Sequence, residues 1–235
     1  MAKQMKRHKI GPLECIDIDD SNSPATQALI LLHGFGANCE DLVSLANMIR
    51  IPQLRMIFPN APLSVLLGPH MEGRAWFPIS VSELERANTS GEPLSFETLT
   101  PPGIKKSREA VIEMISRLGI DISQIALGGF SQGAMLATEV CLHQQQQMAG
   151  LVILSGTLVN KDIWSEKLRR HQGLSFFQSH GENDPVLPIN AAKNLHQLLL
   201  SSGAKGQMLS FRGGHEIPLE VITRLEKFLR EIFAK

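Results

Sequence analysis

Short apolar runs alternate along this chain with stretches whose apolar residues recur every three to four positions. Residues 5–10 and 14–18 read as two strands joined at Gly11-Pro12. Residues 28–32 are continuously apolar, which suits a strand covered on both faces. Helical spacing follows over 41–50 at Leu42, Leu45, Ala46 and Ile49, and then a strand over 55–58 that stops at Pro59 and Pro62. Beyond residue 103 the alternation becomes regular. Helices are predicted over 104–118, 132–143, 189–201 and 219–233, and strands over 124–127, 151–154, 174–177 and 207–211. Strands that alternate with helices imply an α/β fold: a mostly parallel sheet with helices on both faces. Residues 60–103 break the rhythm with six prolines and the glycines 68, 73, 91 and 103. They read as an irregular excursion over one end of the sheet. So long an irregular stretch inside a compact domain points to function.

Composition narrows the classes. The chain has 235 residues and no Gly/Ser/Pro-rich linker, so residues 1–235 read as one domain. Lysine plus arginine equals aspartate plus glutamate at 23 each, which gives no electrostatic reason to bind nucleic acid. Lys3, Lys6, Arg7 and Lys9 read as a solvated strand or a frayed end. The longest apolar runs are far too short to span a bilayer, so no stable membrane insertion is expected. The N-terminus lacks a secretory apolar segment. Cys15, Cys39 and Cys141 match no metal spacing and read as free thiols of a reducing compartment. A cytoplasmic protein is the expectation.

The strongest chemical signal is Gly129-Phe130-Ser131-Gln132-Gly133. It fits Gly-x-Ser-x-Gly, a sharp strand-to-helix turn that exposes a nucleophilic serine. A β-carbon at either glycine would collide with the neighbouring strand or helix. The apolar strand at Ile125-Ala126-Leu127 precedes the motif, and the helix-forming run Ala134-Met135-Leu136-Ala137 follows it. The context that such a motif requires is therefore present.

A serine hydroxyl needs a base within reach and an acid to orient that base. In this kind of fold the acid and then the histidine follow the serine along the chain. His143 and His196 fall within helices, His171 follows a basic helix end, and His180 precedes the candidate acid. His215, in Gly213-Gly214-His215-Glu216-Ile217-Pro218, follows the strand at 207–211 and is the candidate base. Asp184 is the candidate acid, on the loop after the strand at 174–177 and stiffened by Pro185. Glu182 is a rival two residues away. Asp162, a second rival, reads better as the N-cap of a helix starting at Ile163-Trp164. Acyl transfer also needs N–H donors for the tetrahedral oxyanion. One is expected from Gln132, after the nucleophile, and the other from Phe35 in Leu32-His33-Gly34-Phe35-Gly36-Ala37. Trp76 and Phe77, in the middle of the excursion, are candidates for substrate binding or for packing.

With these segments assigned, the chain resembles the phospholipase/carboxylesterase family, which includes acyl-protein thioesterases and small bacterial carboxylesterases. The segments that carry the resemblance are Leu31 to Gly36, Trp76-Phe77, Gly128 to Gly133, His180-Gly181 with Asp184 to Pro188, and Gly214 to Pro218. It runs from about residue 28 to the C-terminus. It implies an α/β-hydrolase core without a large lid domain. It also implies a serine esterase that cleaves short- to medium-chain carboxylic esters, lysophospholipids or acyl thioesters through an acyl-enzyme, without metal or cofactor. Members are often dimers, and a homodimer is an expectation here. The triad leaves open a peptidase or a lactone hydrolase on the same fold, the former with Arg74 as a candidate clamp. A non-enzymatic binding module is the remaining alternative, disfavoured because no triad residue is lost.

Overall fold

The computed structural model describes residues 3–20, 24–69, 71–79, 96–98 and 100–234. Strands β1 (Lys3–Ile10) and β2 (Leu13–Asp20) form an antiparallel hairpin around Gly11 at φ +58°. Then come β3 (Gln27–Leu32), α1 (Leu45–Met48) and β4 (Leu54–Pro59). Next are β5 (Leu63–Gly68), β6 (Met71–Ala75), α2 (Ile104–Ser116), β7 (Ile125–Phe130) and α3 (Gln132–His143). The chain continues through β8 (Gly150–Leu154), α4 (Lys161–Leu168), β9 (Ser175–Gly181), α5 (Ile189–Ser201), β10 (Lys205–Phe211) and α6 (Leu219–Phe233).

Eight strands make one sheet in the order β1-β2-β4-β3-β7-β8-β9-β10. From β4 to β10 every pairing is parallel, and β2 joins β4 antiparallel. The alternation of side chains along each strand divides the core in two. Ile30, Leu32, Leu127, Ile153 and Phe176 face one layer, covered by α2 to α5. Leu29, Leu31, Ala126, Val152 and Phe177 face the other, covered by α1 and α6. On the first face Glu139 of α3 ties three helices together, through Arg108 of α2 at 2.6 Å and the Trp164 indole of α4 at 2.8 Å. The basic cluster of the N-terminus lies on edge strand β1, where Lys6, Arg7 and Lys9 are exposed and discourage further pairing.

Three expectations need correction. The helix expected over 41–50 contracts to α1. Asp41, Val43 and Leu45 instead make hydrogen bonds to carbonyls three residues back, so the segment is wound as successive turns. Its apolar positions Leu42, Leu45, Ala46 and Ile49 are nonetheless all buried. The excursion at 60–103 contains an antiparallel hairpin, β5–β6. Its pairing needs no alternating apolar pattern, because Ser64, Leu66, Leu67, Met71 and Glu72 are all exposed. Residues 80–95 and 99 of the excursion, and His70, lie outside the described residues. The N-cap of α4 is Asn160, whose side chain accepts from the Ile163 N–H, and Asp162 sits in the first turn.

Candidate active site

β3, β7, β9 and β10 run parallel, so the segments that leave their C-terminal ends gather at one edge of the sheet. Those segments carry Gly34 and Phe35, Ser131, Asp184 and His215 respectively. Ligand sites of open α/β sheets form at this edge.

Ser131 occupies the turn between β7 and α3 with φ +55° and ψ −119°, a conformation that L-residues rarely adopt. Its N–H donates to Leu154 O at 2.9 Å, which anchors the turn to β8. The flanking glycines are sterically required. A Cβ at Gly133 would lie 2.1 Å from Leu32 O, and one at Gly129 would lie 2.4 Å from the Gly133 carbonyl carbon. The close approach of β3 to this turn also brings in the glycine loop, since a Cβ built on Gly34 would be 3.5 Å from the Ser131 Cβ.

Asp184 is the hub of the opposite side. Its side chain is fully buried, and Oδ1 accepts the N–H groups of Val186 and Leu187 at 2.8 and 2.9 Å. Oδ2 accepts from His215 Nδ1 at 2.6 Å. The carboxylate can only accept, so the proton lies on Nδ1 and Nε2 presents its lone pair. Burial pushes the Asp184 carboxyl up. The hydrogen bond from His215 and the two N–H groups outweigh it and hold the group below the usual carboxylate range. The Asp184 and His215 loops are pressed together, with the Asn183 N–H on Gly213 O at 3.0 Å and no room for a Cβ on Gly181 against Gly214 O. His215 packs on the Phe130 ring at 4.7 Å between centroids, next to Ser131 in the chain. Among the described residues no hydrogen bond joins Ser131 to His215. In unliganded hydrolases that bond is often long and tightens with substrate.

The rivals separate by position. Glu182 is exposed, and Asp162 lies on α4. His180 is the last residue but one of β9 and is fully buried. Its Nε2–H donates to Leu187 O at 2.8 Å and lies 3.3 Å from Asp184 Oδ2. It therefore braces the acid loop from behind.

The glycine loop is held by neutral groups. His33 is buried, and its Nδ1–H donates to Gly34 O at 2.7 Å while Nε2 accepts the Ala61 N–H at 3.1 Å. Burial drives its pKa down to about 4. The Trp76 indole N–H donates to His33 O at 2.9 Å. The Gln132 side chain accepts from the Trp76 N–H at 2.9 Å and donates to Phe77 O at 2.7 Å. Trp76 and Phe77 are both 0% exposed, so they stand behind the site and their contacts go to its frame. The backbone N–H groups of Phe35 and Gln132 have no hydrogen-bond partner among the described residues.

His33 and Phe130 escaped the sequence reading as supports of the site. A histidine closing a fully apolar strand was the available signal for the first. Nothing in the motif marks Phe130, whose position tolerates any residue. The three cysteines are free and buried, and burial drives the Cys15 and Cys141 thiols up to about 12. Among the described residues no cluster of His, Cys, Asp or Glu could hold a metal, and no helix is long and apolar enough to cross a membrane.

Fold and site edge together define an α/β-hydrolase. Solved structures of the same fold include esterase PE8, with TM-score 0.78 at 24% identity over 94% of this chain and 99% of that one. A carboxylesterase from Mesorhizobium loti has TM-score 0.70 at 18% identity over 96% and 98%. The chain belongs to the phospholipase/carboxylesterase family, whose model matches residues 13–233. The match thus begins upstream of residue 28 and takes in β2. Acyl-protein thioesterase 1 of Candida albicans is 29% identical over 95% of this chain and 99% of its own length. Its counterpart in Cryptococcus neoformans is 30% identical over 80% and 74%. The chain is accordingly a hydrolase of the carboxylic ester class.

Proposed function

We propose that the protein hydrolyses carboxylic esters and thioesters through an acyl-enzyme formed on Ser131, with His215 as base and Asp184 as the group that orients it. The observation that carries this reading is the 2.6 Å bond from His215 Nδ1 to a buried, doubly anchored Asp184, at the sheet edge where the Ser131 turn opens. His215 Nε2 takes the serine proton as Oγ attacks the carbonyl carbon. The oxyanion is held by the N–H groups of Phe35 and Gln132, which are uncommitted to other acceptors. His215 then protonates the departing alcohol or thiol. A water molecule, deprotonated by the same nitrogen, releases the acid. Trp76 and Phe77 act by fixing Gln132 rather than by touching substrate. No cofactor enters these steps. The thioesterase names of the fungal relatives support including thioesters among the substrates.

The test is covalent labelling with a fluorophosphonate, which reacts with activated serines. The wild type is expected to be labelled, and Ser131→Ala is expected to lose both the label and esterase turnover while keeping its fold. Label or turnover persisting in a folded Ser131→Ala protein would overturn the assignment.

A further inference from the structure

A groove of about 440 Å³ opens beside His215 on the sheet face covered by α1 and α6. His215 and Phe130 form its head, and Leu45, Met48, Leu219 and Ile222 line its floor. Met48 and Leu219 are 38% and 66% exposed, which is high for large apolar side chains. Two carboxylates, Asp41 and Glu216, line the groove, Glu216 directly after His215 in the chain, and among the described residues no lysine or arginine lines it. Among the described residues neither carboxylate is in an ion pair, and Glu216 accepts only from the Gly214 N–H at 3.2 Å. A second hollow of about 290 Å³ shares Met48, Leu219 and Ile222 and continues along α6, where it is also lined by Glu226, Lys227 and Arg230, the two cations paired with Glu231 and Glu226 respectively.

The alcohol or thiol that departs must bring its oxygen or sulfur to His215 to be protonated. A channel headed by His215 is therefore suited to the part of the substrate that leaves. Its floor accepts hydrocarbon, and its unpaired acids repel a negative group and attract a positive one. We propose that this groove is the leaving-group site, and that it selects cationic over anionic alcohols and thiols. The inference rests on the hydrolase reading above and adds the substrate class to it.

The test uses three thioesters with one acyl group and leaving groups of similar size. They are S-butanoyl thiocholine, S-butanoyl 3,3-dimethylbutane-1-thiol and S-butanoyl 3-mercaptopropanesulfonate, with thiol release followed in each case. The expected order of kcat/KM is cation, neutral, anion. The ratio of cation to anion should be roughly tenfold at low salt and should fall toward one in about 1 M salt. Asp41 is exposed, so Asp41→Lys should fold, and it is expected to bring the ratio to one or invert it. Leu219→Lys, in the floor of the groove, should move the ratio the same way. Glu216→Gln also touches the His215 loop, so a loss common to all three substrates reports the loop, and only a changed ratio reports the groove. Turnover by the wild type at a ratio of one, or a ratio unmoved by Asp41→Lys and Leu219→Lys, would overturn the groove alone. Failure of the wild type to cleave any of the three would remove the hydrolase reading and the groove with it.

Discussion

The Asp184–His215 side of the site and the Gly34–Gln132 side are both held rigidly, but by different means. Asp184 is an ionised carboxylate stabilised by hydrogen bonds from His215, Val186 and Leu187. The glycine-loop side contains no charged side chain among its buried supports. His33, Gln132, Trp76 and the Phe77 carbonyl satisfy each other as neutral donors and acceptors. Under the proposed mechanism, the side that moves protons must be able to change charge during turnover. Under the same mechanism, the side that only presents N–H groups must not, because a charge appearing near the glycine loop would alter the field at the carbonyl. Burial enforces this by keeping His33 neutral down to about pH 4.

The largest effect that would break this contrast comes from Asp184. In Asp184→Asn the amide presents one N–H2 and one carbonyl, so the His215 Nδ1–H is no longer held by a carboxylate. Under the proposed mechanism kcat should fall by roughly 10³- to 10⁴-fold, the size seen when a triad loses its acid. The measurement is kcat on a neutral ester, with circular dichroism to show that the fold persists. A loss below tenfold would mean that the carboxylate supports the loop without serving the base, and that Glu182 should be reconsidered.

The next effect concerns the neutral side. Gln132→Leu removes both side-chain bonds of that clamp and leaves the Trp76 N–H and Phe77 carbonyl unsatisfied in a dry interior. Each such group costs about 1–3 kcal/mol, so unfolding free energy should drop by roughly 2–6 kcal/mol. The backbone N–H of residue 132 survives the change, so the rate should fall less than for Asp184→Asn, by about 10- to 100-fold. Urea unfolding and kcat together separate the two roles. An unstable protein with full activity would show that Gln132 holds the core and not the oxyanion geometry.

How much of this was legible beforehand differs between the same two sides. Ser131, Asp184 and His215 lie on loops after strands, and chain order with strand ends sufficed to bring them to one edge. The turn at Ser131 announces itself because only glycine fits at 129 and 133. The supports of the glycine loop were not legible. They join residues 33, 61, 76 and 132, which no local pattern relates, and they are contacts of backbone carbonyls and N–H groups that sequence leaves unmarked. Trp76 and Phe77 could be singled out as aromatic, yet whether they face substrate or core depends on which side of the hairpin exit they turn. The hairpin itself was hidden because both of its faces carry exposed residues, so it has no period of two. Residues 41–44 misled in the opposite way. Turns of three residues bury Leu42 and Leu45 much as a helix does, so the apolar spacing is the same for both.

The smallest effect tests the neutrality of His33 directly. The histidine is bonded as an Nδ1–H donor and an Nε2 acceptor, so protonating Nε2 would set two hydrogens against each other at the Ala61 N–H. Its folded pKa of about 4 lies below the unfolded value near 6.5, so the unfolded chain binds more protons between these pH values. Stability conferred by this group is therefore full above pH 6.5 and is lost as pH falls toward 4, by about 2 kcal/mol between pH 7 and pH 5. Buried His171 and His180 and half-buried His196 are shifted the same way and add to the slope of the wild type. The share of His33 is isolated by comparing the change between the two pH values in the wild type and in His33→Gln, which cannot titrate. The variant should lose about 2 kcal/mol less on acidification, whatever its stability at pH 7. Equal losses would mean that His33 ionises freely in the folded protein. The glycine loop would then share in the titration that the contrast confines to the other side.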